Sequence, residues 1–177
     1  MISYTTTATP LGLMLLARTK RGVCALVWGD TEAELLAFLS KAYPGATIQR
    51  DDLALQGFVM PIGEYFAGKR RELALPLDFR ASAFQDRVYK VLQSIPYGST
   101  RSYQEVAQAL GHPEACRAVA NACARNNISL LIPCHRVVRK DGSLGGYQWG
   151  LERKQALLAL EQAGLRKERP KLFGGRG

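Results

Sequence analysis

The stretch SYQEVAQALGHPEACRAVANACAR, residues Ser102 to Arg125, decides the fold of the chain's second half. Ser102 and Glu105 have capping-box spacing, and Tyr103, Val106, Ala107 and Leu110 recur at i, i+3, i+4 and i+7, so a short helix starts there. Gly111 ends it, and Pro113 suits the first position of a second helix that runs to about Arg125. Two short helices joined by a tight glycine turn form a helix-turn-helix. In the second helix Cys116, Val119, Ala120 and Cys123 make an inward stripe, while Arg117, Asn121 and Arg125 stand on another face at i, i+4 and i+8. Alanines at 115, 118, 120, 122 and 124 would let this backbone approach a duplex closely. A merely solvated helix can show the same pattern, so a nucleic-acid face and a solubilising face both remain open.

Upstream, Ser82 and Gln85 form another candidate capping box, opening a helix with Phe84, Val88, Leu92 and Ile95 on one side until Pro96-Tyr97-Gly98 breaks it. Residues 2–28 read as short strands with a turn at Pro10-Leu11-Gly12. Asp30 or Thr31 caps a helix whose stripe is Leu35, Leu36, Leu39 and Ala42, ended by Pro44-Gly45. A second helix spans roughly Asp52 to Phe66, with Leu55, Val59 and Ile62 on one face despite Gly57 and Pro61, and Leu73 to Phe79 reads as extended. The expectation is an α/β N-terminal domain over residues 1–78, a small sheet with helices. A mainly helical, winged-helix-like domain with the helix-turn-helix follows over 79–177. The first domain offers no chemical constellation.

A chain of 177 residues with 47% hydrophobic content can bury a sizeable core. Residues 1–78 hold eight basic and eight acidic side chains and residues 79–177 sixteen and seven, so the whole excess of +9 lies in the second part. That asymmetry suits a polyanion partner or a solubilising surface. Cys24, Cys116, Cys123 and Cys134 include no C-x-x-C pair, and the chain opens without signal-peptide character, which points to a reducing, cytoplasmic setting. The apolar run Leu11 to Ala17 is shorter than the roughly 20 residues of a membrane-spanning helix, so no membrane partner is expected.

Chemistry concentrates in Leu131-Ile132-Pro133-Cys134-His135-Arg136-Val137. Cys134 has three readings. After Leu130, Leu131 and Ile132 it could be core packing. As a zinc ligand it lacks companions, because His112 and His135 are the chain's two imidazoles and no zinc-site spacing occurs. As a nucleophile it needs a base to take its proton, and His135 is adjacent, although neighbours on a strand point apart and a water would then bridge them. Glu161 lies on the apolar face of the last helix, about Leu151 to Gln162, at i+4 and i+3 from Leu157 and Leu158. A carboxylate there requires a partner, and His135 is the candidate.

These residues carry a resemblance. Ile132-Pro133-Cys134-His135-Arg136-Val137-Val138, with Asn126 eight residues before the cysteine, Arg117-Ala118-Val119, Ser102-Tyr103-Gln104 and Gly146-Tyr147, resembles the O6-alkylguanine-DNA alkyltransferase family over most of residues 83–161. Tyr147-Gln148-Trp149-Gly150 looks most like the family's bacterial adaptive-response branch, and the first 78 residues match in outline. The resemblance implies double-stranded DNA containing O6-alkylguanine as partner and a protein that acts as a monomer. It implies that Cys134 attacks the alkyl carbon, that His135 takes the thiol proton through a water, and that Glu161 holds the imidazole.

It further implies that Tyr103 protonates the leaving base at N3, that Arg117 fills the stack left by a flipped base beside the small Ala118, and that Asn126 ties the active-site turn. Asn121 and Arg125 would join the DNA face. Val137, Tyr147, Gln148 and Trp149 would form the base pocket, partly through backbone groups, with Trp149 narrowing the space beyond O6. Members with a structural zinc carry Cys and His in the first domain; here that domain has Cys24 and no histidine, so neither a metal nor a cofactor is expected. Two rival functions remain: a non-catalytic damage sensor or DNA-binding regulator, against which Cys134 argues, and a cysteine hydrolase using Cys134, His135 and Glu161.

Overall fold

The computed structural model describes residues 1–167. Strands β1 (Ile2–Thr9), β2 (Gly12–Arg18) and β3 (Val23–Gly29) form an antiparallel meander, turned at Pro10-Leu11 so that Thr9 pairs with Gly12. Gly12 sits at φ +113, a conformation that favours glycine. Helix α1 (Glu32–Ala42) follows, with Thr31 accepting the Glu34 N–H and Leu35 and Leu39 buried. Strand β4 (Ile48–Arg50) then pairs parallel to β1, completing the order β3-β2-β1-β4. The sequence reading lacks β4, because three residues carry too little alternation to register. Helix α2 spans Asp52–Phe66, capped by Asp51 and burying Leu55, Ile62 and Tyr65.

The second half begins at α3 (Ala83–Gln93), where Ser82 and Gln85 form a reciprocal capping box. After β5 (Arg101–Ser102) come α4 (Tyr103–Ala109) and α5 (Cys116–Ala124). Gly111, at φ +79, follows the α4 C-cap Leu110, and the His112 N–H returns to the Ala107 carbonyl. The second helix therefore starts three residues later than the sequence suggested. Pro113 lies in a separate turn closed by the Ala115 N–H on the His112 carbonyl, and Ala115 is a non-helical N-cap. Residues Cys134–Arg136 form a 3-10 turn, β6 (Val137–Val138) pairs parallel with β5, and α6 runs Leu151–Lys167, beyond the expected stop near Gln162. The expected end of the second domain at residue 177 lies outside the described residues.

The chain is a small N-terminal sheet domain followed by a helical domain. The open edge of β3 joins them. Val23 exchanges bonds with the 76–78 segment, and Leu26 donates to the Asn127 carbonyl and accepts from the Ser129 N–H. The segment that leads into Cys134 is thus bonded as an extra rung on the first sheet, which fixes its position. One apolar cluster, including Leu16, Leu26, Leu55, Tyr65, Val88, Val119, Ile132 and Leu157, runs through both halves. Among the described residues no helix is long and apolar enough to cross a membrane.

Candidate active site

The turn that presents Cys134 is locally constrained. Leu130 is buried at φ +71, a left-handed conformation that is strained for a leucine, and the Leu131 N–H bonds the Ser129 carbonyl at 2.8 Å. Buried Asn126 ties this turn. Its Nδ2 donates to the Ile132 carbonyl at 2.8 Å and to Cys134 Sγ at 3.3 Å, while its Oδ1 accepts the Ile128 N–H at 2.9 Å. Cys134 itself is buried, and burial pushes its thiol above the ordinary range despite the Asn126 hydrogen bond and the nearby Lys154 charge. The resting group is a thiol that requires a base.

His135 sits beside it, wholly buried. Its Nε2 lies 3.0 Å from Glu161 Oε2, and because a carboxylate accepts, Nε2 carries the proton in the neutral ring. Nδ1 is left as a free lone pair, with no hydrogen-bond partner among the described residues. Burial lowers the imidazole's affinity for a proton against the pull of Glu161, so it rests neutral, as a base must. Glu161 is saturated with donors: Arg136 Nε at 2.7 Å and Nη2 at 3.0 Å, the Tyr65 hydroxyl at 3.0 Å and the Gly98 N–H at 3.2 Å. Burial alone would raise its carboxyl, yet the His135 and Arg136 hydrogen bonds outweigh that and hold it at about 2. The carboxylate stays charged at every functional pH.

Cys134 opens on a cavity of about 230 Å³ lined by Tyr103, Ala120, Cys123, Ala124, Gly146, Tyr147 and Gln148. Tyr103 starts α4 beneath the Ser102 cap, and its ring lies against Gly145, where an added Cβ would come within 2.8 Å of the hydroxyl. Burial pushes its phenol up to about 12. The wall opposite is the α5 backbone, approachable because Ala120 and Ala124 are small. Lys154 of α6, wholly buried, donates to the Leu144 carbonyl and, at 2.9 Å, to that of Gly146. Its ammonium stands 5.8 Å from the centre of the Tyr103 ring, and burial brings it down to about 8. On the outer face of α5, Arg117, Ala118, Asn121 and Arg125 are exposed together.

One expected pocket residue falls elsewhere. Trp149 packs edge-on against Phe38 of α1, ring centres 5.3 Å apart, and lines a different hollow with Pro10, Leu11 and Arg153. It is drawn there because Arg153 of α6 bonds both the Trp149 carbonyl and the Leu11 carbonyl. Val137 is buried in the β6 ladder opposite Arg101, and the pocket role expected of it belongs to its backbone carbonyl, whatever its side chain packs against.

Residues 83–163 match the DNA-binding domain of 6-O-methylguanine DNA methyltransferases, and residues 2–79 their ribonuclease-like domain. The chain belongs to the 6-O-methylguanine DNA methyltransferase family. Within this family, the bifunctional transcriptional activator/DNA repair enzyme Ada of Escherichia coli is 44% identical over 90% of the chain, which spans 45% of that relative's length. The methylated-DNA–protein-cysteine methyltransferase of Mycolicibacterium paratuberculosis is 43% identical over 92% of this chain and 93% of its own. Among solved structures, the Mycobacterium tuberculosis O6-methylguanine methyltransferase superposes with a TM-score of 0.79 at 38% identity, covering 92% of this chain and 94% of that one. A further crystal structure holds the M. tuberculosis protein in complex with DNA, with the same TM-score and identity.

The geometry also brings in three residues that the sequence reading did not assign. Arg136 had a signal, since it sits inside the Cys134-His135 motif. Lys154 had a weaker one, standing seven residues before Glu161 on the buried stripe of α6 that also holds Leu157. Tyr65 had none. It reads as one more apolar position of α2, and its partner is 96 residues away.

Proposed function

We propose that the protein repairs double-stranded DNA by transferring the alkyl group of O6-alkylguanine irreversibly to its own Cys134. What supports this reading above all is the pairing of a buried thiol at the wall of a base-sized cavity with a neutral imidazole whose far nitrogen is fixed by a charged carboxylate. The Cys134 proton passes to His135 Nδ1 through a water as Sγ forms the bond to the alkyl carbon. The C–O6 bond breaks with its electron pair going to the guanine. Tyr103 gives a proton to N3 of that base, and the proton now on His135 restores the balance as it returns through solvent. Glu161 stabilises the imidazolium while it lasts. Lys154, close to the Tyr103 ring, favours the charge that develops on the phenol.

The product is a thioether, which no group in the site can hydrolyse, so each molecule acts once. The target base must leave the stack, at a cost of a few kcal/mol, to reach a thiol this deep. Arg117, beside the small Ala118, fills the space it leaves, while Asn121 and Arg125 engage the strand from the same face of α5. Backbone groups of Cys134, Val137 and Gln148 read the guanine edge. The protein works as a monomer, on DNA in the cytoplasm.

Intact mass after incubation with a duplex carrying O6-methylguanine tests the whole reading. Wild type should gain one methyl, mapped to Cys134, with Cys24, Cys116 and Cys123 unmodified, and Cys134→Ala should gain none. Turnover without a mass change would favour hydrolysis instead, and a methylated Cys134→Ala protein would overturn the assignment.

A further inference from the structure

The transfer site contains a hydroxyl that comes from the other domain. Tyr65, on α2 of the N-terminal domain, is buried, and its hydroxyl donates to Glu161 Oε2 at 3.0 Å. The same oxygen lies 3.0 Å from His135 Nε2, so phenol and imidazole share one acceptor atom. The ring is wedged edge-on against Phe66 and Tyr97, with centres 5.3 Å and 5.9 Å away, which leaves the hydroxyl little freedom to turn aside. We infer that Tyr65 is a positioning residue for alkyl transfer, through which the N-terminal domain sets the orientation of Glu161 and the basicity of His135.

This rests on the transfer chemistry proposed above. An acceptor that already receives a phenolic proton holds less charge for the imidazole N–H. Removing that donor strengthens the hold of Glu161 on His135, raises the imidazole's proton affinity and leaves less of it neutral on the acid side. The other groups facing this pair do not duplicate the role. Arg136, from the 3-10 turn, donates to Oε1 at 2.7 Å and also to Oε2, and it opposes protonation of His135. Lys154, from α6, opposes it too, and the Gly98 N–H bonds Oε1. Tyr65 is the uncharged side chain among them, and it comes from the N-terminal half of the chain.

The test is single-turnover inactivation by the free base O6-methylguanine, which requires no DNA binding, measured at pH 5 and pH 8 for wild type, Tyr65→Phe and Tyr89→Phe. The control residue is also buried, and its hydroxyl donates to the Ala122 carbonyl and not to Glu161. The Tyr65→Phe to wild-type rate ratio should be lower at pH 5 than at pH 8, by up to about threefold if the imidazole becomes about threefold more basic. Tyr89→Phe should show one ratio at both. Should Tyr65→Phe fold poorly, 3-fluorotyrosine at position 65 keeps the side chain and strengthens the donor, so its ratio should shift the opposite way. Equal ratios at both pH values for the position-65 proteins would overturn the inference while leaving alkyl transfer itself intact. A wild type that is never alkylated would instead overturn the transfer reading.

Discussion

Helices α5 and α6 both border the thiol, and they place their charges oppositely. On α5 the side chains turned inward are Val119, Ala122 and Cys123, while Arg117, Asn121 and Arg125 face solvent. On α6 the inward stripe is Lys154, Leu157 and Glu161, two of them ionisable. Exposed charges cost little to keep and contribute little to folding, so those of α5 are free to serve a partner. Buried charges are tolerated only when they have hydrogen-bond partners, and both on α6 do: Glu161 in His135, Arg136, Tyr65 and Gly98, Lys154 in two loop carbonyls. In the proposed function one helix serves recognition and the other sets the state of the reacting groups. Substitutions on α6 should therefore damage fold and chemistry together, and those on α5 chemistry on DNA alone.

Glu161→Gln gives the largest break. It leaves the Arg136 guanidinium buried beside a neutral amide, a loss of about 3–5 kcal/mol, and it takes from His135 the charge that supports its protonated form. Melting should fall by roughly 10 °C, and transfer to the free base should slow by about 10²-fold or more. The change also alters acid stability with a definite sign. The Glu161 carboxyl is held at about 2 in the folded protein against an ordinary 4.5. Its contribution is thus fully present above pH 4.5 and is lost as pH falls toward 2. Denaturant titrations from pH 6 to pH 3 should show wild type losing stability faster than Glu161→Gln; parallel losses would mean that the carboxylate is not the group holding the array.

Arg117→Ala sharpens the other side. Arg117 is exposed, so melting should stay within about 1 °C of wild type, as surface changes usually do. Repair of duplex DNA should fall roughly thirtyfold, equivalent to about 2 kcal/mol of the extrusion cost, while reaction with free O6-methylguanine stays within about twofold. Equal losses on both substrates would remove the stack-filling role of Arg117 and the distinction between the helices with it.

What the sequence made legible follows the range of the interactions involved. Helix α2 is read at the observed Asp52–Phe66, and the caps at Thr31, Ser82 and Ser102 are where spacing placed them, because a cap is a contact over three residues. Cys134, His135 and Asn126 form one local turn, and the structure brings them together. Glu161 was reachable because a carboxylate on an apolar stripe asks for a partner. The α5 start is not legible in the sequence because Pro113 fits a first helical turn and an isolated turn equally well, and the bond from Ala115 to His112 decides between them. Tyr65 was invisible, since a tyrosine among apolar residues shows nothing of where its hydroxyl ends. Trp149 was misplaced for a related reason. The family resemblance implies the pocket, but the chain turns at Gly150, φ +98, and the indole leaves toward α1.

That placement yields the smallest expected effect. An indole lining the cavity would crowd a benzyl group and spare a methyl, and its removal would shift the benzyl-to-methyl rate ratio by tenfold for each 1.4 kcal/mol of relief. Trp149 instead joins the loop after the pocket to the N-terminal domain, half-buried against Phe38 and the apolar cluster that includes Leu35 and Leu39. Trp149→Ala should therefore cost about 2 kcal/mol of packing, lowering the melting temperature by roughly 4–8 °C. The ratio of inactivation rates by O6-benzylguanine and O6-methylguanine should move by less than about threefold, which corresponds to under 1 kcal/mol at the transition state. Trp149→Phe keeps an aromatic edge for Phe38 and should recover most of the lost stability. A tenfold gain in the benzyl rate with unchanged melting would place the indole at the pocket mouth during reaction, and the boundary between recognition and support would then run through this loop and not between the two helices.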